Sequence, residues 1–173
     1  MTKRKNEYHI VTFDPGGVIG WAHLVIHYKA FLTPQAKVLA NLLGWNTGEF
    51  AGTEHDNIRR CVELVRTARY GEMPFHSRTD VISEDFELTQ LIGGHNLLSP
   101  VRINAILEWE VAQVGGVSFH LQKRQMRTNI TKDRLKLMGL RAAGKDSFAA
   151  LQHAIVWARL VKAKANQKPW KLE

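Results

Sequence analysis

Apolar and polar positions along the chain alternate between strand-like and helical spacing. Apolar runs cover residues 8–14 and 20–28, and the Pro-Gly-Gly turn between them predicts a β-hairpin. Residues 37–50 predict a third strand, although their many Leu and Ala residues are also compatible with a helix. Short apolar segments at 79–88 and 117–122 are typical of two more strands. The pattern therefore predicts five strands.

Helical spacing governs the other segments. Residues 53–71 begin with Thr53, a suitable N-cap, and end at a glycine, which predicts an amphipathic helix. Residues 99–116 begin with Ser-Pro and end with Gly-Gly, which predicts a second helix. A short basic helix at 131–138 and a long helix at 146–165 follow. Three strands followed by alternating helices and strands indicate an α/β sheet covered by helices.

Length and composition predict one folded domain. The 173 residues, 45% of them hydrophobic, can bury a substantial core. We expect a single domain over 1–173, with a basic leader at about 1–7 and a loose tail at about 166–173. No apolar run reaches the ~20 residues that span a bilayer, and no secretion signal is recognised at the N-terminus. A lone cysteine, Cys61, rules out an internal disulfide framework, so a cytoplasmic location is expected.

Positive charge is concentrated in one part of the sequence. The chain has 24 Lys and Arg residues against 16 Asp and Glu, a net charge of +8, and such a balance attracts polyanions, of which nucleic acid is the commonest. A solvated helix face is the plainer explanation for any single basic residue. The best candidates for contacts with DNA phosphates are Lys123, Arg124, Arg127, Lys132, Arg134 and Lys136.

Three carboxylates lie where predicted elements begin or end. Asp14 ends the first strand, Glu84 lies near the end of the fourth, and Asp146 begins the last helix. Burying an ionised carboxylate costs several kcal/mol unless a cation or hydrogen bonds offset it. If the two strands are parallel neighbours, about 4.8 Å apart, their acids meet, and a helix N-terminus facing the sheet adds the third. Converging carboxylates favour Mg²⁺. Taken one at a time, the acids also have plainer explanations: a turn for Asp14, a solvated strand end for Glu84 and a helix cap for Asp146.

The same segments resemble the RuvC family of Holliday junction resolvases, within the RNase H-like (retroviral integrase) superfamily. The stretch "FDPGGVIGWA" resembles that family's Asp-Pro-Gly opening, and "VISEDF" resembles its second motif, a strand with a metal-binding Glu. The stretch "LQKRQMRTNITKDRLKLMGLRAAGKDSFAALQHAI" is similar to the family's C-terminal part, especially in phage-encoded relatives. The similarity covers nearly the whole chain in order, and it describes the domain at 1–173 as RuvC-like.

The resemblance implies a fold and an activity. The fold is an RNase H-like five-stranded mixed sheet, its first three strands antiparallel, flanked by helices. The activity is that of a crossover-junction endodeoxyribonuclease, a homodimer that nicks branched DNA with a pair of Mg²⁺ or Mn²⁺ ions in each active site. Carried over by position, Asp14, Glu84 and Asp146 are the catalytic residues and metal ligands.

One position departs from the family pattern. The last helix of the family typically has a second ligand three residues after the first, and this chain has Ala149 there. His153 lies one turn further on roughly the same helix face as Asp146 and can contact a phosphate or metal-bound water. A lone His on such a face is more often a packed structural residue. Glu87 is another candidate for the missing ligand.

The family mechanism assigns roles to the acids. One ion, near Asp14 and Asp146, activates water, and the other, near Asp14 and Glu84, stabilises the departing 3′ oxygen. Junction selectivity is expected in residues 86–99, whose apolar side chains can insert into an opened base step. The candidates for insertion are Phe86, Leu91 and Ile92.

The helix after residue 99 carries a broad apolar stripe that is a candidate two-fold interface. The stripe consists of Ile103, Ile106, Leu107, Trp109 and the adjacent Glu110.

Two alternatives stay open. A nuclease with a broader preference for flaps, forks or RNA–DNA hybrids has the same metal site and a different substrate cleft. A non-catalytic protein that binds branched DNA is favoured by Ala149 and disfavoured by the three retained acids. An actin-like or sugar-kinase-like ATPase is disfavoured because the second phosphate loop and the larger two-domain length are missing.

Overall fold

Five strands form one mixed sheet. In this computed structural model the described residues are 6–33, 37, 39–70, 78–86 and 99–167. The strands are β1 (Glu7–Asp14), β2 (Val18–His27), β3 (Leu42–Ala51), β4 (Arg78–Asp85) and β5 (Val117–Lys123). Their order is β3-β2-β1-β4-β5, with β2 antiparallel to β1 and β3, and β4 parallel to β1 and β5. The predicted mixed sheet with three antiparallel leading strands is confirmed.

Helices follow the strands in the predicted order, with shifted ends. They are α1 (Tyr28–Leu32), α2 (Glu54–Tyr70), α3 (Ser99–Gln113), α4 (Lys132–Leu137) and α5 (Lys145–Gln167), with a 3-10 turn at Arg124–Arg127. The short α1 was not predicted. The third strand begins at Leu42, later than the predicted residue 37. The fourth strand ends at Asp85 rather than 88, and α5 continues into the predicted tail. None of the described helices is both long and apolar enough to cross a membrane.

The central strand is buried on both faces, which explains its continuous apolar sequence. On one face, Tyr8 and Ile10 pack against α5 residues such as Leu151. On the other, Val11 and Phe13 join a second core cluster with residues of α2 and α3. Burial of both faces fixes the register of β1, because a shift by one residue would exchange the two sets of side chains.

Close contacts bring the first turns of α5 onto the sheet. Gly20, which pairs with Asp14 across β1 and β2, lies so near the helix that a Cβ would overlap the backbone carbonyl of Asp146. About one helical turn further along α5, the Ala150 carbonyl oxygen accepts a hydrogen bond from Thr12 Oγ1 at 2.7 Å. Small residues on both partners therefore place the start of α5 beside the end of β1.

The apolar stripe on α3 divides between core and surface. Ile103 and Leu107 are fully buried in the core, so they are not available to a partner, which corrects the predicted two-fold interface. Ile106 and Trp109 remain 38% and 66% exposed. Glu110 accepts a 2.6 Å hydrogen bond from Arg66 of α2 and so belongs to the packing of these two helices.

Candidate active site

Two of the predicted acids lie together at the carboxyl ends of adjacent parallel strands. Phe13 pairs with Ser83 in the register of β1 and β4, so Asp14 and Glu84 both follow this pair. The guanidinium of Arg127 lies between them, with Nη2 3.1 Å from Glu84 Oε2 and Nη1 3.9 Å from Asp14 Oδ2. The fold thus converges two carboxylates on one cationic group.

The third acid, Asp146, is close enough to act electrostatically on Asp14. Burial and the charges of Glu84 and Asp146 together raise the pKa of Asp14 to about 7, against the opposing charges of Arg127 and Arg124. Such coupling is the property expected of acids that share one site. A group of carboxylates of this kind is stabilised by additional positive charge.

Glu84 is held from two sides. Asn104 Nδ2 of α3 donates to the Glu84 backbone oxygen at 3.0 Å, and Ser83 Oγ donates to Asn104 Oδ1 at 2.5 Å. On the opposite face of the sheet, His153 Nε2 donates to Glu84 Oε2 at 3.0 Å. Burial alone would raise the pKa of Glu84, but the hydrogen bond from His153 and the charge of Arg127 outweigh it and lower the pKa.

His153 is fully buried, in agreement with its interpretation as a packed residue rather than a phosphate contact. Its Nδ1 lies 2.6 Å from the side-chain amide of Gln122, the residue that pairs with Glu84 across β4 and β5. The Gln122 atom at Nδ1 is the amide oxygen Oε1, so both ring nitrogens of His153 face side-chain oxygens, those of Gln122 and Glu84. His153 is therefore a positioning residue for Glu84.

Glu49, which the sequence pattern did not single out, orders the start of α5. It pairs with Gly20 across β2 and β3, and its Oε1 accepts hydrogen bonds from the backbone N–H groups of Asp146 at 2.9 Å and Ser147 at 3.2 Å. A Cβ at Gly144 would overlap this carboxylate. Glu49 thus acts as a cap supplied from another element, and it holds the backbone that carries Asp146.

The six predicted DNA-binding residues do not share one environment. Arg127 is only 13% exposed and contacts the acids, whereas the other five are exposed. Arg124 lies near enough to lower the pKa of both Asp14 and Glu84. Lys132 lies over the ring of Phe148. The exposed members, here called the basic patch, are Lys123, Arg124, Lys132, Arg134 and Lys136.

Part of the predicted site falls outside the described residues. Glu87 and the candidate wedge residues Leu91 and Ile92 belong to 87–98, so their placement stays a prediction. Phe86 is described and is partly buried after the end of β4. Ala149 faces the core with 4% exposure, so the position of the usual fourth ligand contributes no polar atom.

The chemistry of the acids suits a divalent cation. In the present arrangement, the guanidinium of Arg127 is the cation that contacts both Asp14 and Glu84. Carboxylate oxygens are the ligands that Mg²⁺ prefers, and the mutual effect of the acids on the pKa of Asp14 is the kind that bound positive charge relieves. Within the described ranges, no three His, Cys, Asp or Glu side chains are arranged so that they hold a metal ion. The cation found between Asp14 and Glu84 is the guanidinium.

The chain resembles known proteins in its structure, whereas comparison of its sequence finds no match. No family model matches the chain, and no curated protein does. A Thermus thermophilus RuvC structure in complex with a Holliday junction substrate is similar, with a TM-score of 0.57, 16% identity, and coverage of 89% of this chain and 97% of that one. Another T. thermophilus RuvC structure is similar with a TM-score of 0.54 and 15% identity, and the match covers 89% of this chain and 97% of that one. The chain has a RuvC-like fold, and the phage-type relationship stays a prediction.

Proposed function

We propose that this chain is a divalent-metal-dependent endonuclease that nicks branched DNA, with the four-way Holliday junction as its preferred substrate. The observation that carries the proposal is the convergence of Asp14 and Glu84 around one cation at the ends of adjacent parallel strands. The fold supports it, because a RuvC structure of the same fold is described in complex with a Holliday junction substrate.

Asp14, Glu84 and Asp146 are the residues proposed to hold Mg²⁺ or Mn²⁺, as a pair of ions. When bound, such ions supply an activated water and stabilise the departing oxygen in phosphodiester hydrolysis. The protein's own contribution is to hold these acids in position. His153 keeps Glu84 ionised and oriented, and Glu49 fixes the turn that carries Asp146.

The basic patch supplies the proposed DNA contacts. Its exposed Lys and Arg side chains lie at the end of β5, on the 3-10 turn and on α4, and β5 ends beside the strand that carries Glu84. Contacts of this kind bind phosphates without reading sequence, and each one makes affinity fall with rising salt. A patch next to the acids would bring a DNA backbone to the proposed site.

A homodimer is the proposed assembly, because paired nicks in a four-way junction need two active sites. The exposed part of the α3 stripe, Ile106 and Trp109, is the candidate contact that remains after Ile103 and Leu107 are assigned to the core. Sedimentation of the wild type and of Trp109→Ser at the same concentration tests this, since the variant is expected to shift toward the monomer.

A second candidate function is non-catalytic binding of branched DNA. Two observations favour it: Ala149 replaces the usual fourth ligand, and Arg127 already supplies a positive charge to the pair of acids. The same basic patch would serve both functions, so DNA binding alone does not distinguish them.

Cleavage of three labelled substrates separates these functions. A four-way junction, a 5′ flap and a linear duplex are each incubated with the wild type in Mg²⁺, Mn²⁺ or EDTA. We expect metal-dependent nicks in the junction, at symmetric positions, with little cleavage of the duplex. Equal cleavage of flap and junction would instead indicate the broader nuclease. Binding of the junction with no cleavage in either metal would leave the non-catalytic function.

A further inference from the structure

Arg127 is the group between the two acids, and its position raises the question of how a metal ion would reach them. Its side chain is 13% exposed, and its guanidinium lies 3.1 Å from Glu84 Oε2 and 3.9 Å from Asp14 Oδ2. Arg124, from the same 3-10 turn, acts on the acids only through its charge.

A guanidinium and a divalent ion compete for this place. Mg²⁺ binds carboxylate oxygens at about 2.1 Å, so an ion held by both acids would lie in the interval that Arg127 occupies. The guanidinium would also repel the ion at this range, because charges of one sign a few Å apart disfavour each other strongly where water is partly excluded. One of the two cations has to leave.

We propose that Arg127 is a displaceable counter-cation that fills the place between Asp14 and Glu84 in the DNA-free protein and moves to a DNA phosphate when substrate binds. The inference rests on the proposed function and adds its regulation: DNA binding and metal binding become coupled. Free protein would then load metal weakly, which restricts hydrolysis to the DNA-bound form.

The surroundings of Arg127 suit such a movement. It is the last residue of a four-residue 3-10 turn, whose other members Arg124, Gln125 and Met126 are exposed, so a shift of the guanidinium displaces no buried neighbour within the turn. The basic patch begins at the same turn, so a bound DNA backbone would present phosphates nearby. Arginine binds phosphate through two parallel hydrogen bonds, which offers the guanidinium a partner equal to a carboxylate.

The opposing view is that Arg127 is a permanent structural ion pair. Removal of one partner from a buried pair leaves an uncompensated charge and destabilises a protein. The two views differ in how metal affinity responds to DNA. If Arg127 occupies the place nine-tenths of the time and DNA draws it away, removal of Arg127 and binding of DNA each raise apparent metal affinity about tenfold, whereas a permanent pair gains only from the removal.

Mn²⁺ binding to the full chain without DNA tests the proposal, with free Mn²⁺ measured by electron paramagnetic resonance. The variants are Arg127→Gln and, as a matched control, Arg59→Gln, since Arg59 is an exposed residue of α2 whose ion pair is with Asp56. R127Q is expected to bind Mn²⁺ about tenfold more tightly than the wild type. R59Q is expected to bind Mn²⁺ with the same affinity as the wild type.

Each outcome has one meaning. Equal Mn²⁺ affinity of wild type and R127Q, within twofold, overturns the inference and leaves the proposed nuclease intact. If neither binds Mn²⁺ at millimolar concentrations, the inference and the proposed metal-dependent function fail together. Should R127Q not fold by circular dichroism, Arg127→Lys decides, because a shorter point charge holds the two acids less well. Tighter Mn²⁺ binding by R127K than by wild type supports the proposal, and unchanged binding overturns it.

A second measurement tests the link to DNA. Junction affinity is measured by fluorescence anisotropy with and without Ca²⁺, an ion that binds carboxylates, at fixed ionic strength. If DNA removes Arg127 from the acids and so strengthens metal binding, linkage requires that a bound metal ion strengthens DNA binding by the same factor. The gain in junction affinity on adding Ca²⁺ is therefore expected to be several-fold larger in wild type than in R127Q. The same gain in both proteins contradicts the coupling.

Discussion

Replacing Asp14 by Asn is expected to stabilise the metal-free protein at neutral and alkaline pH while it removes the proposed activity. Burial and the charges of Glu84 and Asp146 raise the pKa of Asp14 to about 7. In the unfolded chain this carboxyl returns to its ordinary pKa of 3.8. Above that value the unfolded state loses its proton more readily than the folded state, so ionisation of Asp14 favours unfolding.

The size of the effect follows from the two pKa values. Each pH unit between them corresponds to 1.36 kcal/mol, so the full difference amounts to about 4 kcal/mol at pH 8. The Asp14 side chain is 17% exposed, which allows some screening by water, and Asn cannot keep the attraction to Arg127. We therefore expect the variant to be more stable by about 2–4 kcal/mol at pH 8, or about 5–15 °C in Tm.

The pH dependence identifies the cause. The stability contributed by protonated Asp14 is fully present below pH 3.8 and is lost as the pH rises through about 7, so the advantage of D14N should grow between these values and level off above. Urea unfolding from pH 5 to 8 in EDTA measures it. Asp133→Asn, an exposed acid on α4, is the control, with a change within about 0.5 kcal/mol. A D14N protein less stable than wild type at pH 8, or an advantage independent of pH, would refute the reasoning.

Three further substitutions test the packing around the acids. Glu49→Ala removes the acceptor for two backbone N–H groups of α5 and should cost about 1 kcal/mol in urea unfolding, with Glu49→Gln nearer to wild type. Gly20→Ala forces the first turn of α5 off the sheet and should cost about 2 kcal/mol, whereas Gly44→Ala, which has open space around it, should be neutral. His153→Gln weakens the hydrogen bond that lowers the pKa of Glu84, so the acid limb of the pH–rate profile should move to higher pH, and an unmoved limb would contradict that role.

The sequence predicts the parts of the site that depend on local pattern. Asp14 and Glu84 stand out because apolar strands end at or near them, and the sequence predicts that they meet if these strands are parallel neighbours, as β1 and β4 are. Parallel neighbours then bring their carboxyl ends together without any knowledge of side-chain packing. The position of Asp146 at a helix start is equally local.

The contacts that depend on register were not predictable in this way. Glu49 reaches the start of α5 only because it pairs with Gly20, and nothing in its own neighbourhood in sequence distinguishes it from a surface acid. His153 contacts both Glu84 and Gln122, and these two residues are neighbours only through the register of β4 and β5. In the sequence, Arg127 is one of several candidate DNA-binding residues. Its contact with the acids depends on the path that the chain takes after β5, which the sequence pattern does not specify.

Single-turnover nicking of a labelled four-way junction tests the central claim that Asp14 and Glu84 form the cation site of a nuclease. Wild type, Asp14→Asn, Glu84→Gln and the control Asp133→Asn are compared in Mg²⁺, with junction affinity measured in parallel. The account predicts that D14N and E84Q bind the junction within a few-fold of wild type and nick it at least about a thousandfold more slowly, while D133N is unchanged. Nicking by D14N and E84Q at the wild-type rate would contradict it.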